Sequence, residues 1–476
     1  MPNPKTHRPL FVDLDGTLIK SDLMLESVLL LIKKNPLAAF MLPLWLLKGR
    51  ANLKHQLAQR VDIPYELLPP NPEFKAYIQQ QEAEGRNIVL ISASNQQQVR
   101  ALSNHYGFFI DAIGSDEQLN LKAENKLLRI LQLNQKAGFS YAGNSSADLP
   151  IWDEADEVVM VNCAVSLAEK LKNKTNSITR FDTPGSKLHK FFLAMRPHQW
   201  LKNGLLFLPL ILSHQIDQLH LFLQACIGFL SFSLCASSVY FLNDMLDLNS
   251  DRQHHAKRSR QFASGELALA YGFLGAPILL AASFAVALLL PANFIAVLFL
   301  YWILTSLYSL FLKRLFMLDV LTLAVLYTLR IIAGSAAIAV ATTFWLLAFS
   351  FFLFLSIAMA KRFTEFSNLS STERTSVAGR AYSTAHLKML AITGGCSSLI
   401  AVAVFAFYIN APDTTELYTS PGLLWLICPL LVFLLGRIWI FAQQGKLNED
   451  PVLFAISDHP SQAVTLMCGL IIWLAI

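Results

Sequence analysis

Two kinds of hydrophobic pattern divide the chain. Before about residue 185, apolar runs of strand length alternate with polar stretches of helical length. The apolar runs are residues 10–14, 87–92, 139–142 and 157–162. This alternation is typical of βαβ units and predicts an α/β domain built on a parallel sheet. A turn-forming stretch at residues 183–186 predicts a boundary between one domain at residues 1–185 and another at residues 186–476.

The second part consists of apolar stretches, each about 17–25 residues long, which is the length of a membrane-spanning helix. Nine spans are predicted, at about residues 187–213, 221–246, 267–290, 292–312, 318–340, 343–360, 387–409, 422–442 and 461–476. The connections after the even-numbered spans carry Lys and Arg, whereas those after the odd-numbered spans carry neither. The positive-inside rule then predicts an integral multi-pass protein of the cytoplasmic membrane, with its N-terminal domain and charged loops on the cytoplasmic face.

The composition agrees with this division. Of the 476 residues, 54% are hydrophobic and 15% are charged, which favours a membrane protein over a soluble, disordered or fibrous one. The six cysteines have no CxxC spacing, so neither a zinc site nor a disulfide framework is expected. The net charge of +5 is small and no basic run alternates with aromatic residues, so nucleic acid is not an expected partner. The polar start predicts no signal peptide.

One apolar segment lies inside the first domain, at residues 37–47. It is too short to span a bilayer, and it contains Pro43. The basic residues on either side of it are Lys33, Lys34, Lys48 and Arg50. We interpret the segment as part of a small helical cap at about residues 20–75. Two interpretations stay equally open, namely that the segment touches the membrane surface or that it is a buried cap helix.

Acidic residues gather where the second predicted span ends. Asn243, Asp247 and Asp251 are four residues apart, so on a continuing helix they form one stripe, with Asp244 beside it. Carboxylates this close repel one another, and Mg²⁺ is the natural cation to neutralise them because it takes oxygen ligands and bridges to diphosphates. Cations suited to phosphate oxygens follow, at Lys257, Arg258 and Arg260. The alternative is a solvent-wetted helix end with incidental acids.

A second polar group lies in and after the later spans. Asp319 and Arg330 have nearly the same azimuth on one predicted helix, about three turns apart, and an arginine so deep should face a cavity and an anion. The alternative is an ion pair that only orders the bundle. Further candidate phosphate contacts, which the positive-inside bias alone would also explain, are Lys361, Arg362, Glu365, Arg380, Tyr382 and Ser383.

These residues resemble the UbiA superfamily of intramembrane prenyltransferases. The resemblance covers residues 187–476 and rests on the motifs Asn243-Asp244-x-x-Asp247-x-x-x-Asp251, Arg196-Pro197-x-Gln199-Trp200-x-Lys202-Asn203, Tyr327-x-x-Arg330-x-x-Ala333-Gly334 and Lys361-Arg362-x-x-Glu365. In detail they resemble most the branch of polyprenyl-phosphate phosphoribosyltransferases. The second DxxxD motif of aromatic prenyltransferases is incomplete, because Leu323 stands four residues after Asp319.

The resemblance implies an all-α polytopic bundle of about nine helices that transfers phosphoribose from phosphoribosyl diphosphate to a polyprenyl phosphate. It implies a Mg²⁺ site at Asn243, Asp244, Asp247 and Asp251, of which the three aspartates are catalytic. Substrate contacts are expected at Lys202, Asn203, Lys257, Arg258, Arg260, Asp319, Tyr327, Arg330, Lys361 and Arg362.

Two aspartates follow the first predicted strand in Phe11-Val12-Asp13-Leu14-Asp15-Gly16-Thr17. Their spacing places Asp13 and Asp15 at the carboxyl end of the strand, where open α/β sheets bind ligands. One can act as nucleophile and the other as general acid while both approach a magnesium ion.

This stretch resembles the first motif of the haloacid dehalogenase (HAD) superfamily, which implies a Rossmannoid fold. The later motifs are matched by Ser92, by Lys126 or Lys122, and by Gly143-Asn144-Ser145-Ser146-Ala147-Asp148. The resemblance implies Asp13 as phosphoryl acceptor, Asp15 as acid and base, Ser92 and Lys126 as phosphate ligands, and Asp13, Asp15, Asn144 and Asp148 as ligands of Mg²⁺. Asn144 departs from the usual aspartate, which implies weaker metal binding or a lost activity.

The fusion suggests a multifunctional enzyme whose HAD-like domain removes the 5-phosphate of the lipid-linked product. Two alternatives stay open. One is a prenyltransferase that moves a prenyl chain from a prenyl diphosphate to an aromatic or other small acceptor. The other is a transporter or lipid-binding protein with a regulatory HAD-like module. The partners expected are membrane lipids, a polyprenyl lipid and a diphosphate substrate, and the sequence does not predict the oligomeric state.

Overall fold

A computed structural model of the protein describes residues 8–135, 138–171, 177–370, 384–447 and 458–476. The chain divides into two compact units. The first joins Met1–Met195 with Tyr240–Ala276, and the second joins Arg196–Val239 with Pro277–Ile476. The loop after the second predicted span therefore belongs to the same unit as the N-terminal domain.

The first unit contains one sheet of six parallel strands, which confirms the predicted α/β architecture. The strands are β1 (Leu10–Val12), β2 (Ile88–Asn95), β3 (Asp111–Ser115), β4 (Ser140–Gly143), β5 (Glu157–Val161) and β6 (Ile178–Phe181). Their order is β3-β2-β1-β4-β5-β6, so β1 lies between β2 and β4. Phe11 is in register with Val89 on one side and with Tyr141 on the other. The carboxyl ends of these three strands consequently meet at one edge.

Successive side chains of β1 enter two different cores, as the pleat of a strand requires. Leu10 and Val12 belong to the core on one face of the sheet, and Phe11 belongs to the core on the other. The helices of this part are α1 (Leu23–Lys34), α2 (Leu42–Leu47), α3 (Arg50–Ala58), α4 (Pro72–Ala83), α5 (Gln96–Tyr106), α6 (Glu124–Leu133), α7 (Leu149–Glu154), α8 (Val165–Leu171) and α9 (Lys187–Ala194). Both faces of the sheet are buried, which explains why its strands are apolar runs.

The segment between β1 and α4, where the sequence predicts a cap, is helical. Asp22 begins α1 by accepting a hydrogen bond from the Leu25 amide at 3.0 Å. A 3₁₀ helix at Pro36–Met41 leads into α2, and α3 follows. Trp45 is the one buried residue of α2, whose other side chains are at least partly exposed. The interpretation of this segment as a buried helix is therefore wrong for most of its side chains.

Seven helices among the described residues are long and apolar enough to cross a membrane. Their number supports an integral multi-pass protein. They are Leu219–Leu246 (α11), Leu269–Ala287 (α13), Ala292–Leu310 (α14), Leu318–Ile338 (α15), Phe344–Ser367 within α16 (Phe344–Ser370), Leu387–Ile409 (α17) and Pro421–Gln443, which contains α19 (Ile427–Gln443). The shorter helices are α10 (Leu208–Leu212), α12 (Leu248–Gln253), α18 (Pro412–Leu417) and α20 (His459–Ala475).

The first predicted span is not one helix. Arg196 has a φ of 56°, in the left-handed region, and Pro197 follows it, so the helical hydrogen bonds of α9 cannot continue. The chain goes on as a 3₁₀ helix at Pro197–Phe207 and then as α10. The ninth predicted span corresponds to α20, which is shorter than the other spans. The count of nine spans remains a prediction.

Close packing in the second unit depends on Gly334 of α15. A Cβ atom at this position would lie 2.1 Å from the carbonyl oxygen of Leu206. The backbone of the 3₁₀ helix at Pro197–Phe207 therefore contacts α15 directly. This contact brings Asn203 to the same level of α15 as Arg330, as described below.

Candidate active sites

The aspartate motif keeps the predicted helical spacing. Asn243 and Asp244 lie in the last turn of α11, and Asp247 is the residue between α11 and α12. The amide of Asp247 donates to the Asn243 carbonyl at 2.9 Å, and the amide of Asp251 donates to the Asp247 carbonyl at 2.8 Å. The chain thus continues with a four-residue repeat through the junction of the two helices.

Arg260 bridges two carboxylates of this motif. Its Nη1 atom lies 2.7 Å from Oδ2 of Asp251 and 3.3 Å from Oδ1 of Asp244, and both aspartates are buried. Burial raises the pKa of Asp251, although the charge of Arg260 opposes this shift. The third aspartate, Asp247, has its Oδ1 atom 3.8 Å from Nζ of Lys33 in α1. Two acidic residues of the motif therefore converge on a single cationic atom.

This donor set suits a hard divalent cation, because carboxylate oxygens are the ligands that Mg²⁺ prefers. A guanidinium nitrogen lies where Asp244 and Asp251 meet, so the position favours positive charge. In the part of the chain that the structure describes, no three His, Cys, Asp or Glu side chains are close enough together to hold a metal ion. The four-ligand set with Asn243 and Asp247 remains a prediction.

The other cations of this loop are more accessible. Lys257 is half-buried and Arg258 is exposed, in the turn that leads to Arg260. Amides of this turn donate back to the carbonyl of His254, at 3.1 Å from Lys257 and 3.0 Å from Arg258. The turn therefore presents two cations to solvent close in sequence to the carboxylate pair.

In the second unit, Arg330 of α15 is the centre of a buried polar cluster. Its Nε atom donates to Oδ1 of Asn203 at 3.0 Å, and its Nη2 atom donates to the Tyr301 hydroxyl at 3.2 Å. Its guanidinium carbon lies 5.0 Å from the ring centroid of Tyr327. Three predicted residues, Asn203, Tyr327 and Arg330, are thus together, and Lys202 is buried beside Asn203 in sequence. Sequence reasoning missed Tyr301, which no motif distinguishes.

A second buried cluster surrounds Arg362 of α16. Its Nε atom lies 2.6 Å from Oδ2 of Asp319, and its Nη1 atom lies 2.6 Å from Oε2 of Glu365. Its Nη2 atom donates to the Tyr308 hydroxyl at 2.8 Å. The neighbouring Lys361 is half-buried. Asp319 has no solvent-exposed surface, so its carboxylate neutralises Arg362 inside the unit. The predicted contacts Arg380, Tyr382 and Ser383 lie outside the described residues.

Asp13, Lys126 and Asp148, which the resemblance to the HAD superfamily singled out, meet at the carboxyl edge of the sheet. Nζ of Lys126 lies 2.8 Å from Oδ1 of Asp13 and 3.9 Å from Oδ1 of Asp148. The Tyr141 hydroxyl donates to the same Asp148 oxygen at 2.9 Å and accepts from Lys126 at 2.9 Å. Burial raises the pKa of Asp13, which Lys126 opposes. Of the two lysines that the sequence proposed, Lys126 is the one beside Asp13.

Asp15 faces the cap instead of Lys126. Its Oδ1 atom accepts from the Leu23 amide at 2.9 Å, and its Oδ2 atom accepts from the Ser94 hydroxyl at 2.6 Å. Burial, with the charge of Asp22, raises the pKa of Asp15 to about 7. A carboxyl group with this pKa can both donate and accept a proton near neutrality. Ser92, the predicted phosphate ligand, is buried in β2 and accepts from the Ser94 amide at 3.0 Å.

Three residues of this region were not singled out in the sequence. Tyr141 and Ser94 belong to strands next to β1, and the alternation of the pleat could have placed them. Lys54 comes from α3 of the cap, and its Nζ atom donates to the carbonyl of Ala93 at 2.5 Å and to Oδ1 of Asn120 at 3.2 Å. Burial lowers the pKa of Lys54, and the charges of Asp15 and Asp22 oppose this. No sequence signal connects Lys54 with the sheet.

Asn144 and Gly16 fit each other closely. Gly16 has a φ of +74°, and a Cβ atom there would lie 2.0 Å from Nδ2 of Asn144. The Asn144 amide donates to Oδ2 of Asp148 at 3.1 Å, as the Ser145 amide does at 3.0 Å. Asp148 therefore holds the loop after β4, and Asn144 lies over the turn that carries Asp15. The assignment of Asp13, Asp15, Asn144 and Asp148 as ligands of Mg²⁺ remains a prediction.

Comparisons with known proteins agree with the motifs of the C-terminal part of the chain. Residues 205–457 match the UbiA prenyltransferase family. The uncharacterized protein y4nM of Sinorhizobium fredii is 36% identical over 457 residues, which are 95% of this chain and 88% of that protein. The decaprenyl-phosphate phosphoribosyltransferase of Mycobacterium tuberculosis is 30% identical over 282 residues, which are 57% of this chain and 89% of that protein.

A similar solved structure is that of a UbiA homolog from Archaeoglobus fulgidus bound to DMAPP and Mg²⁺. It is 17% identical, covers 60% of this chain and 98% of its own, and has a TM-score of 0.45. The family match itself extends over more than half of the chain. The chain is therefore a multi-pass membrane member of the UbiA prenyltransferase family.

Proposed function

We propose that this transferase moves phosphoribose from phosphoribosyl diphosphate to a polyprenyl phosphate, and that its N-terminal domain is a HAD-type phosphatase acting on the product. The observation that carries the first step is the convergence of two carboxylates of the family motif, Asp244 and Asp251, on one cationic atom, Nη1 of Arg260. Carboxylates in this arrangement provide the charge that a magnesium diphosphate requires.

The choice of a phosphosugar donor rests on two observations. Relatives at modest identity over about half of the chain are named decaprenyl-phosphate phosphoribosyltransferases. In addition, Asp319 is completely buried against Arg362, and Leu323 stands where a second DxxxD motif would have its other aspartate. Where a second pair of metal-binding aspartates would lie, the only aspartate forms an internal ion pair with Arg362. This disfavours prenyl transfer to an aromatic acceptor, for which two DxxxD motifs are usual.

The transfer needs no general base. A phosphate oxygen of the acceptor, already an anion, attacks the anomeric carbon and forms the new C–O bond. The bond between that carbon and the diphosphate oxygen breaks, and the diphosphate leaves with the electron pair. Asp244 and Asp251, with Asn243 and Asp247, would hold the Mg²⁺, which would neutralise charge on the diphosphate. Arg258 and Lys257 contribute further positive charge, so catalysis depends on positioning and charge stabilisation.

Arg330 is proposed to bind a substrate phosphate together with Lys202 and Lys361. The planar guanidinium suits phosphate oxygens, and Asn203 and Tyr301 fix its orientation by hydrogen bonds at 3.0 and 3.2 Å. Tyr327 lies against its face. An arginine whose position is fixed in this way loses little conformational freedom when a phosphate binds.

In the phosphatase step, Asp13 attacks the phosphorus of a phosphomonoester and the ester oxygen leaves as the alcohol. Asp15 donates the proton to that oxygen and then takes one from the water that hydrolyses the aspartyl phosphate. The pKa of Asp15, about 7, suits both roles. Lys126 and Ser92 are the proposed phosphate ligands, and Asp148 and Asn144 the proposed donors to Mg²⁺, together with Asp13 and Asp15.

The two steps can be tested together in lipid vesicles. Purified full-length protein is supplied with polyprenyl phosphate, Mg²⁺ and phosphoribosyl diphosphate labelled in the ribose. We expect label in the lipid fraction, first as a phosphorylated and then as a dephosphorylated sugar lipid. Turnover of a prenyl diphosphate with a small acceptor, without any labelled lipid, would instead favour the prenyltransferase alternative. Labelled phosphosugar lipid that is never dephosphorylated would contradict the second step alone.

A further inference from the structure

The apolar segment at residues 37–47 exposes large hydrophobic side chains. Leu47 is 84% exposed and Phe40 is 78% exposed, and Leu37, Leu44 and Leu46 are at least half exposed. The inward side of the segment is nevertheless well anchored. Trp45 is buried in a small core, with the guanidinium of Arg60 over its ring at 4.7 Å. The segment is thus a fixed element with an apolar outer surface, not a loosely attached loop.

The same core contacts a membrane span. Phe273 of α13 packs against the cluster that Trp45 forms with Val28, Leu31, Leu53, Leu57 and Val61. Helix α13 begins at Leu269, so Phe273 lies only about 6 Å along the span at 1.5 Å per residue. Tyr271, which lies between Leu269 and Phe273, is exposed at the end of this span. Tyrosines are enriched at the boundary between membrane and water. The apolar segment therefore shares a core with the first turns of a candidate membrane span.

The charges around the segment identify what covers it. Exposed cations stand at both of its ends, Lys34 before it and Lys48 and Arg50 after it. An apolar surface with basic flanks is the pattern of an element that lies in the headgroup region, with its apolar side chains in the acyl boundary. A partner protein would need acidic residues placed opposite both basic flanks. Anionic lipid headgroups surround an inserted segment on all sides, so a bilayer provides negative charge at both flanks without such placement.

We propose that the apolar segment inserts into the bilayer interface, with Phe40, Leu44 and Leu47 in contact with lipid and the basic flanks at the headgroups. Helix α3 follows directly, and its Lys54 contacts the carbonyl of Ala93 beside the HAD-like site. The cap that carries the apolar segment thus also reaches the sheet beside this site, through Lys54. If the proposed phosphatase function holds, as this extension assumes, the substrate class of that site is a phosphomonoester whose alcohol part is anchored in the membrane.

The depth of individual side chains tests the insertion without any activity assay. The full-length protein, with its six native cysteines replaced, receives a single cysteine at residue 47 or 40 and an environment-sensitive fluorophore. The protein is placed in nanodiscs that contain phosphatidylglycerol. The matched control is a cysteine at Ile110, which is 64% exposed and directly precedes β3. This residue lies at the amino edge of the sheet, whereas the cap follows the carboxyl end of β1.

Nitroxide lipids should quench the probe at residues 40 and 47 at least threefold more strongly than the probe at residue 110, and aqueous iodide should show the reverse order. Strong quenching by iodide at residue 47 would overturn the insertion, because the segment would then lie in water. Weak quenching by both agents would also overturn it, because another protein or a second copy would then cover the segment.

The substrate extension has its own readout. Leu44→Asp combined with Leu47→Asp should raise the KM for a lipid-linked phosphomonoester at least fivefold and leave the turnover of a water-soluble phosphomonoester unchanged. An equal loss with both substrates would contradict the extension. If the probes show insertion but wild-type protein hydrolyses neither substrate, the phosphatase function is wrong and the membrane contact stands.

Discussion

Glu26 and Arg252 form a buried ion pair, with 2.6 Å between Oε1 and Nη2, although 226 residues separate them in the chain. Glu26 lies in the first turn of α1, just after the loop that carries Asp15. Arg252 directly follows Asp251 and also donates to the carbonyl of Ala263 at 3.0 Å. This ion pair therefore joins the N-terminal domain to the loop that follows Asp251, within the first unit.

This pair predicts that the N-terminal domain supports the transferase. Glu26→Gln leaves Arg252 buried without its counter-charge, and the loss of one partner of a buried pair costs about 3–5 kcal/mol. We expect a lower thermal midpoint and a transferase rate reduced by roughly tenfold or more. The measurement is a double-mutant cycle with Arg252→Gln, in which the double variant should be no worse than either single variant. Glu82→Gln, at an exposed position of α4, is the control and should change neither quantity.

A second contact of this loop predicts a dependence of stability on pH. Glu266 accepts from Lys20 at 2.7 Å and from Lys190 at 2.6 Å. Burial would raise the pKa of Glu266, but the two lysines outweigh it and lower the pKa below the ordinary 4.5. A lowered carboxyl pKa stabilises the folded state above the unfolded value and loses this effect as the pH falls through the folded value.

The difference in thermal midpoint between wild type and Glu266→Gln should therefore be constant from pH 7 to pH 5 and shrink below about pH 4.5. Thermal unfolding in detergent across this range measures it. A difference that grew with acidification would contradict the assigned sign of the pKa shift.

The packing of α15 predicts a sharp contrast between two glycines. Gly334→Ala places a methyl group 2.1 Å from the Leu206 carbonyl oxygen, and backbone cannot move aside as a side chain can. We expect a loss of about 1–3 kcal/mol or more in stability and, because Asn203 moves away from Arg330, a loss of transfer. Gly395→Ala in α17 is the control, since no atom lies within 4 Å of its added Cβ. Equal effects of the two substitutions on thermal unfolding would refute the close contact.

The loop after β4 predicts a gain of function. Asn144 offers a neutral amide oxygen where an aspartate would offer charge, and a hard cation binds a carboxylate more strongly. Asn144→Asp should lower the Mg²⁺ concentration that gives half-maximal phosphomonoester hydrolysis, by roughly tenfold. Hydrolysis is measured against Mg²⁺ concentration, with Asp13→Asn as the inactive control. An unchanged or raised Mg²⁺ requirement would remove Asn144 from the proposed ligand set.

The sequence predicted features that depend on local periodicity. The alternation of short apolar runs predicted the parallel sheet, and the position of Asp13 and Asp15 after the first strand predicted a site at its carboxyl edge. Lys126 was not predicted in this way, because only the resemblance to the HAD superfamily proposed it, together with Lys122 as the alternative. The four-residue repeat of the aspartates also persists across the junction of α11 and α12. These features need only the geometry of one strand or one helix, which the order of residues determines.

Features that depend on tertiary contacts were missed. Arg260 was expected to bind phosphate, and nothing in its position indicated that it would bridge Asp244 and Asp251. The pairing of Glu26 with Arg252 joins distant parts of the chain. The break in the first predicted span depends on the left-handed backbone of Arg196, which hydropathy does not report. In each case the decisive partner is far away in sequence or the decisive variable is a dihedral angle.

The most direct test of the account is the Mg²⁺-dependent transfer of labelled ribose to polyprenyl phosphate by Asp251→Asn protein, with Asp217→Asn as the control at an exposed position. Because Asp251 supplies a carboxylate to the proposed metal site, the account predicts that Asp251→Asn loses at least 99% of the transfer rate, while Asp217→Asn and the phosphomonoester hydrolysis of both variants stay at the wild-type level. Transfer by Asp251→Asn at the wild-type rate would contradict the account.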